Sequence, residues 1–551
     1  MLGAARGNAN CPEGDQEDCL TRYLGVRDGF ESLVVTAFCA ASLAMGCSGS
    51  EDAAPATPVA ATDTTAPAGN IADELAVDDI GVYQATKVSL VKEGALVPEA
   101  KINAPIIANR PALVRVFVKP IGNKRPVLEG ELRVKRAGKE DLVLKDKGKT
   151  VVAELDHELL EQTLNFNIPA VEMTADATFS FKAGKKLEGA APTDVLTFPA
   201  DGSAVALGAK TASQKLRVKF VPVSYEAEEG VSITPDLADL ATLKDTLYKM
   251  YPVAEIEATV RAPLKWSTPV KSNGPGWDDL LGGIMQLRRA DKVDRDVYYV
   301  GVLTPKESLD QFCNQGGCIL GVAPRADERD VNMRVALVLG YKSRSAGSTL
   351  AQELAHAMGR MHAPCGVTEA VDDDFPYGTG GIGVWGYDIL THKLIDPGNR
   401  YRDFMSYCGP TWTSDYTFKG IYERMELLTK QQAAIDADAA NNPAPGASGG
   451  KELTTMQSFR ITTDGVVHEG PMLDVVAGSD SDSDVRGRGR ETATVSYEGA
   501  AGKIFATAKG RVTTISGTGS RLVVVPTAPV GATHARLAGM GAAAIRMPLK
   551  H

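Results

Sequence analysis

The sequence predicts a multidomain protein of α/β plus β class, with an α/β domain flanked by N- and C-terminal β-sandwich domains. Three observations predict it. A chain of 551 residues is too long for a single hydrophobic core. Short apolar runs of strand length, broken by Gly, Asn and Pro, fill residues 79–214 and return after 452. Between them, strand-like and helix-like runs alternate, which is the order of a largely parallel sheet. Apolar residues make up 44% and charged residues 23%, as in an ordinary globular protein. The formal charge of −10 offers no basic surface, which argues against nucleic acid as a partner.

Residues 1–46 read as an export region. "SLVVTAFCAASLAMGC" (32–47) is apolar, too short to span a bilayer, and ends in small residues. Ala44-Met45-Gly46-Cys47 resembles the lipobox of bacterial lipoproteins, which implies lipidation of Cys47 as the new N-terminus. Ala44 stands where Leu is commoner, Arg27 is offset by Asp28 and Glu31, and residues 1–25 are unlike a signal sequence. A short buried helix is the competing reading. The expected location is extracytoplasmic: anchored by lipid to the bacterial cell envelope, or secreted, with no other membrane contact. Residues 47–78, rich in Ala, Pro and Thr, cannot bury enough surface to fold and are expected to be a disordered tether.

The β-sandwich of 79–214 is read from runs such as "LVRVFVKP" and "LEGELRVKR"; Val114, Val116 and Val118 alternate with Arg115 and Phe117. In the α/β domain, 215–437, "LRVKFVPV", "IEATVRA", "DVYYVGVL" and "VALVLG" are predicted strands. "DLADLATLKDTLYKM" (236–250) and "WDDLLGGIMQLRRA" are predicted amphipathic helices. Residues 438–451 read as a polar linker. "ATVSYEG" and "RLVVVPTAP" place a second β-sandwich at 452–551.

Four cysteines follow Cys47: Cys313, Cys318, Cys365 and Cys408. An even count in an exported chain suggests two disulfides, most simply Cys313–Cys318 and Cys365–Cys408. A zinc site built from the four competes, but their spacing matches no paired C-x-x-C pattern. "DSDSD" (480–484) with Glu491 has part of a calcium-loop spacing; Val485 stands where the turn needs Gly, so a solvated loop is expected.

The chemistry concentrates in "STLAQELAHAMGRMHAPCG" (348–366). On a helix Gln352 and His356 lie one turn apart on one face, with Glu353 beside them, while Leu350, Leu354, Met358 and Met361 fall mainly on other faces. Gly359 can end the helix in the left-handed region and turn His362 back towards His356. Three side chains then meet at one point, as a catalytic zinc requires. "QELAHAMGRMH" (352–362) resembles the extended motif H-E-x-x-H-x-x-G-x-x-H of the metzincin zinc endopeptidases, except that Gln352 replaces the first histidine. Downstream, Met405-Ser406-Tyr407 is similar to the Met-turn of the serralysin and astacin branches. The resemblance covers about 216–437. It implies zinc held by His356, His362 and Gln352, Glu353 as general base, Met405 as a floor under the metal and Tyr407 as zinc ligand or oxyanion stabiliser, with protein or peptide as substrate. A bridge between Cys365 and Cys408 would pin both halves of that site.

Gln352 has three readings. Its amide oxygen is a weak zinc ligand, or it serves a T-x-x-Q capping box with Thr349, or another residue supplies the missing ligand. The function expected is a metzincin-like zinc metalloendopeptidase with activity reduced by the ligand change. The alternatives are a catalytically inactive pseudopeptidase that binds proteins outside the cell, and a purely structural envelope lipoprotein. The remaining histidines singled out, His157, His392 and His468, are read as structural.

Overall fold

The computed structural model describes residues 71–549 except 192–193, 213–214, 228–231, 315–316, 344, 399, 442–452, 478–490, 500–501 and 540–543. They belong to one compact unit, residues 67–551. Cys47, the export region, most of the tether and the 480–484 loop lie outside the described residues. Among the described residues, no helix is long and apolar enough to cross a membrane. The fold is mixed α/β and strand-rich.

Ordered structure begins ahead of the expected boundary at 79: a helical turn at Ile71–Glu74 leads into the strand Leu75–Tyr83. The cause is its apolar pattern, since Leu75, Val77, Ile80 and Val82 are all buried. Two antiparallel sheets follow. One has Leu75–Tyr83 and Ala112–Pro120 at its centre; the other has Val127–Lys135 and Thr178–Gly184. Val82 and Val116 of the first share one core with Leu132, Val134 and Phe179 of the second.

The next segment builds a six-stranded sheet. Its strands are β1 (Lys215–Tyr225), β2 (Glu255–Val260), β3 (Val297–Leu303), β4 (Gly321–Val322) and β5 (Val335–Leu339), in the order β2-β1-β3-β5-β4, with Leu264–Trp266 also against β1. All pairs are parallel except β4 with β5, so β4 is an antiparallel edge. Every residue of β3 and β5 is buried, as expected for strands covered on both faces. One face carries α1 (Ala241–Met250), α3 (Ala346–Ala357) and α4 (Asp415–Asn441), through Leu247, Leu354 and Ile421. The opposite face carries α2 (Trp277–Asp291) through Trp277, Leu280 and Ile284.

Two boundaries differ from expectation. Helix α1 starts at Ala241 rather than 236, because Asp236 and Asp239 accept hydrogen bonds from the N–H groups of Ala238 and Ala241, forming turns ahead of the helix. Helix α4 runs to Asn441, into the predicted linker, since the Ala-rich stretch there favours helix over coil.

The C-terminal region differs more. Its strands, including β6 (Ile504–Thr514) and β7 (Arg521–Pro526), form one eight-stranded antiparallel sheet rather than two facing sheets. Val523 and Val525 of β7 point into the sheet's own core with Phe459, Val495 and Leu537. Leu522 and Val524 point the other way and join Leu473 and Val475 against α2. A sheet that curls over its own core and packs its outer face on a helix has no uncovered apolar face left for a second sheet.

Candidate metal-binding and catalytic site

Helix α3 lies against the sheet and is held there by Leu350, Leu354 and Met358, all buried. It begins at Ala346, with Ser345 as N-cap and no side-chain capping bond. Thr349 is therefore inside the helix, and the capping box with Gln352 does not form. The other end follows the expectation. Gly359 N–H donates to His356 O at 2.7 Å and Arg360 N–H to Ala355 O at 2.9 Å, with Gly359 at φ +85°, a Schellman termination. A Cβ at Gly359 would lie 3.0 Å from Ala326 O and 2.6 Å from an Arg424 guanidinium nitrogen, so the turn also depends on close approach.

That turn brings two histidines together. The Nε2 atoms of His356 and His362 are 3.1 Å apart, and both rings are buried. Each Nδ1 faces a carbonyl: Arg360 O at 2.8 Å for His356 and Glu369 O at 2.9 Å for His362. A carbonyl only accepts, so both Nδ1 atoms carry the proton and both Nε2 atoms present lone pairs. Burial lowers the pKa of each ring; for His356 the effect is large, and His362 beside it adds to it. Two neutral imidazoles with converging lone pairs, each fixed by a carbonyl on its far nitrogen, suit a cation between them. Two nitrogens on one tetrahedral zinc stand about 3.3 Å apart, close to the separation here.

The third position is weaker. Gln352 is half-buried one turn before His356 and offers a neutral amide. Among the described residues, no group of three or more His, Cys, Asp or Glu is placed to hold a metal ion. The two imidazoles are therefore the groups placed to hold a metal, and Gln352 is the neutral amide one helical turn before His356.

The segment 403–408 closes the site from below. Met405 is buried in the core shared by α3, and its carbonyl accepts from Ala363 N–H at 3.0 Å. Asp403, fully buried, accepts from Met405 N–H at 2.8 Å and Ser414 N–H at 2.9 Å, fixing the turn. The Tyr407 ring packs edge-on against His362 at 5.1 Å and is 57% exposed. The Cys365–Cys408 disulfide forms, and Tyr407 N–H donates to Cys365 O at 3.0 Å. The bridge thus joins the chain after His362 to the chain carrying Tyr407. The Cys313–Cys318 disulfide also forms, in the loop leading to β4.

Glu353 has an unexpected partner. Its carboxylate is buried and accepts a hydrogen bond from the Ser516 hydroxyl, in the turn between β6 and β7. Burial raises its pKa to about 8, and the bond from Ser516 offsets part of that rise. A Cβ at Gly321 would come within 2.7 Å of Glu353 Cγ, so β4 lies directly over this side chain. A cavity of about 290 Å³ opens beside the pair, lined by His356, His362, Glu369, Tyr407, Arg325 and residues 514–519.

The structure therefore brings together His356, His362 and Tyr407, places Gly359 and Met405 in support, and turns Glu353 towards Ser516. Sequence reading missed Ser516, Glu369 and the edge strand β4. None carries a local signal: Ser516 lies 163 residues from Glu353, and β4 is two residues long. Comparison of the chain with protein-family models and with curated proteins gives no match.

Proposed function

We propose that residues 215–437 form a metzincin-like zinc metalloendopeptidase domain, between two β domains, acting on proteins or peptides outside the cytoplasm. The observation that carries the reading is the His356–His362 pair, with Nε2 atoms 3.1 Å apart and both Nδ1 atoms bound to carbonyls. In this reading His356 and His362 hold zinc, with Gln352 as the weak third ligand. A zinc ion bound there supplies a polarising centre for a carbonyl and lowers the pKa of water. The chain's own groups do the rest. Glu353, whose carboxyl is raised by burial to about 8 while Ser516 donates to it, is matched to taking and returning a proton near neutrality. Tyr407, half-exposed beside His362, is free to donate its hydroxyl to a developing oxyanion. Cys47 is the proposed lipid anchor.

A second reading is favoured by a specific observation: Glu353 is engaged by Ser516 and the first ligand position is Gln352. It makes the domain a non-catalytic pseudopeptidase that binds extracellular protein. Hydrolysis of a quenched casein substrate by the full chain in excess zinc separates them. Activity abolished by Glu353→Gln supports the peptidase, and no activity with zinc bound supports the pseudopeptidase.

A further inference from the structure

Behind the histidine turn lies a second and larger cavity, of about 880 Å³. Its walls are the turn 358–361, the segment 325–330, α4, and the faces of β6 and β7 around Val512 and Val524. One wall carries a buried arginine that lacks a counter-charge. Arg424, on α4, is 8% exposed, and its Nη1 donates to Ala326 O at 3.2 Å. Among the described residues, no carboxylate pairs with it. A second cation adds to the local charge: burial lowers the pKa of Arg334 to about 10, and the Arg424 charge contributes to the fall. Arg360, on the same cavity, is 4% exposed and stacks over the Tyr416 ring at 4.8 Å. It reaches Asp372 only at 3.5 Å, and its Nε is buried without a partner. A guanidinium taken out of water with no carboxylate beside it is costly unless a ligand brings the opposite charge. We propose that this cavity binds a small molecule carrying a single carboxylate on an apolar body, with the carboxylate seated on Arg424 and Arg360.

The remaining charges of the wall set the ligand class. Arg511 is taken by Asp330 at 2.5 Å and Lys430 by Glu426 at 3.2 Å, so the two buried arginines are the seat for an anion. Asp373, Asp374 and Glu423 also line the cavity and are exposed, which sets a polyanion such as phosphate against like charge. One carboxylate matches the planar fork of a guanidinium without adding to that repulsion. Met333, Met358 and Leu427 supply apolar wall for the body of the ligand, and the volume is that of a small-molecule site. The cavity touches the histidine site through one residue. Arg360 turns its guanidinium to the cavity and its carbonyl to His356 Nδ1 at 2.8 Å. The proposal needs no metal at the histidines. Its ligand chemistry has two sources, a free carboxylic acid and the C-terminal carboxylate of a peptide.

The test is isothermal titration calorimetry on the full chain, kept in chelator so that no metal offers a seat for a carboxylate. Hexanoate stands for the free acid and N-acetylleucine for the peptide end; tighter binding of one assigns the source. The uncharged amide of the preferred acid is expected to bind at least about tenfold more weakly, and Arg424→Met to weaken the acid by at least about tenfold. His362→Ala is expected to leave that affinity unchanged. If Arg424→Met does not fold, Leu427→Trp fills the cavity from a half-buried position about one turn along α4 and is expected to cause the same loss. No binding of either acid, equal binding of acid and amide, or tighter binding of inorganic phosphate overturns the proposal. So does unchanged affinity in a folded Arg424→Met or Leu427→Trp protein. Loss of binding in His362→Ala alone places the ligand at the histidines and overturns it as well.

Discussion

Ser516 and Glu353, 163 residues apart in sequence, share a buried hydrogen bond in which the serine hydroxyl donates to the carboxylate. The bond couples the C-terminal sheet to the helix that carries His356. Unfolding in urea of Ser516→Ala, Glu353→Gln and the double variant should show a coupling energy above about 0.5 kcal/mol. Effects that add within about 0.3 kcal/mol would mean the bond contributes nothing to holding the turn in place.

Gln352→His gives the site a third imidazole on the face already occupied by His356. Cobalt should bind at least about tenfold more tightly, a gain of about 1.4 kcal/mol, in a competition titration with a chelator. In that background Glu353→Gln should leave cobalt bound while abolishing peptide hydrolysis, and Tyr407→Phe should cost less rate than Glu353→Gln.

The Cys365–Cys408 bridge closes a loop with a sequence separation of 43 that contains Met405 and Tyr407. Replacing both cysteines by serine should destabilise the protein by up to about 4 kcal/mol by the loop-entropy estimate. It should also weaken cobalt binding, because the segment carrying Tyr407 loses its tie to the segment after His362. Urea unfolding and cobalt titration on one preparation would check both; an unchanged cobalt affinity would limit the bridge to stability.

Asp403 is buried beneath the site, and burial raises its pKa from the ordinary 3.8, with hydrogen bonds from Ser414 and Met405 opposing the rise. The folded protein therefore holds this proton more tightly than the unfolded chain. Its contribution to stability is full below pH 3.8 and is lost as pH rises through the folded value. Asp403→Asn, which stays neutral and keeps one acceptor oxygen, should gain stability relative to the parent as pH rises from about 3.5 to 7. Parallel stability profiles across that range would contradict the assignment.

What was legible in the sequence was local. The approach of His356 and His362 follows from helix spacing and one left-handed glycine, and both disulfides follow from an even count and the simplest pairing. What was not legible depends on contacts between distant segments. The alternation in β7 reads the same for a sandwich and for a curled sheet resting on α2; only the core that Leu522 shares with α2 decides it. Ser516 sits in an ordinary Ser-Gly-Thr-Gly turn, and nothing within that turn points to a carboxylate on another element. The capping box failed because Thr349 competes with an earlier start, where Ser345 O already accepts from Thr349 N–H at 2.8 Å.

The central claim is that His356 and His362 form a divalent-metal site, and metal analysis of the purified full chain dialysed against zinc tests it most directly. The account predicts close to one zinc per chain, readily removed by chelator, lost in His362→Ala and held more firmly in Gln352→His. Zinc absent from both the unsubstituted protein and Gln352→His, with both folded and their disulfides intact, would contradict it.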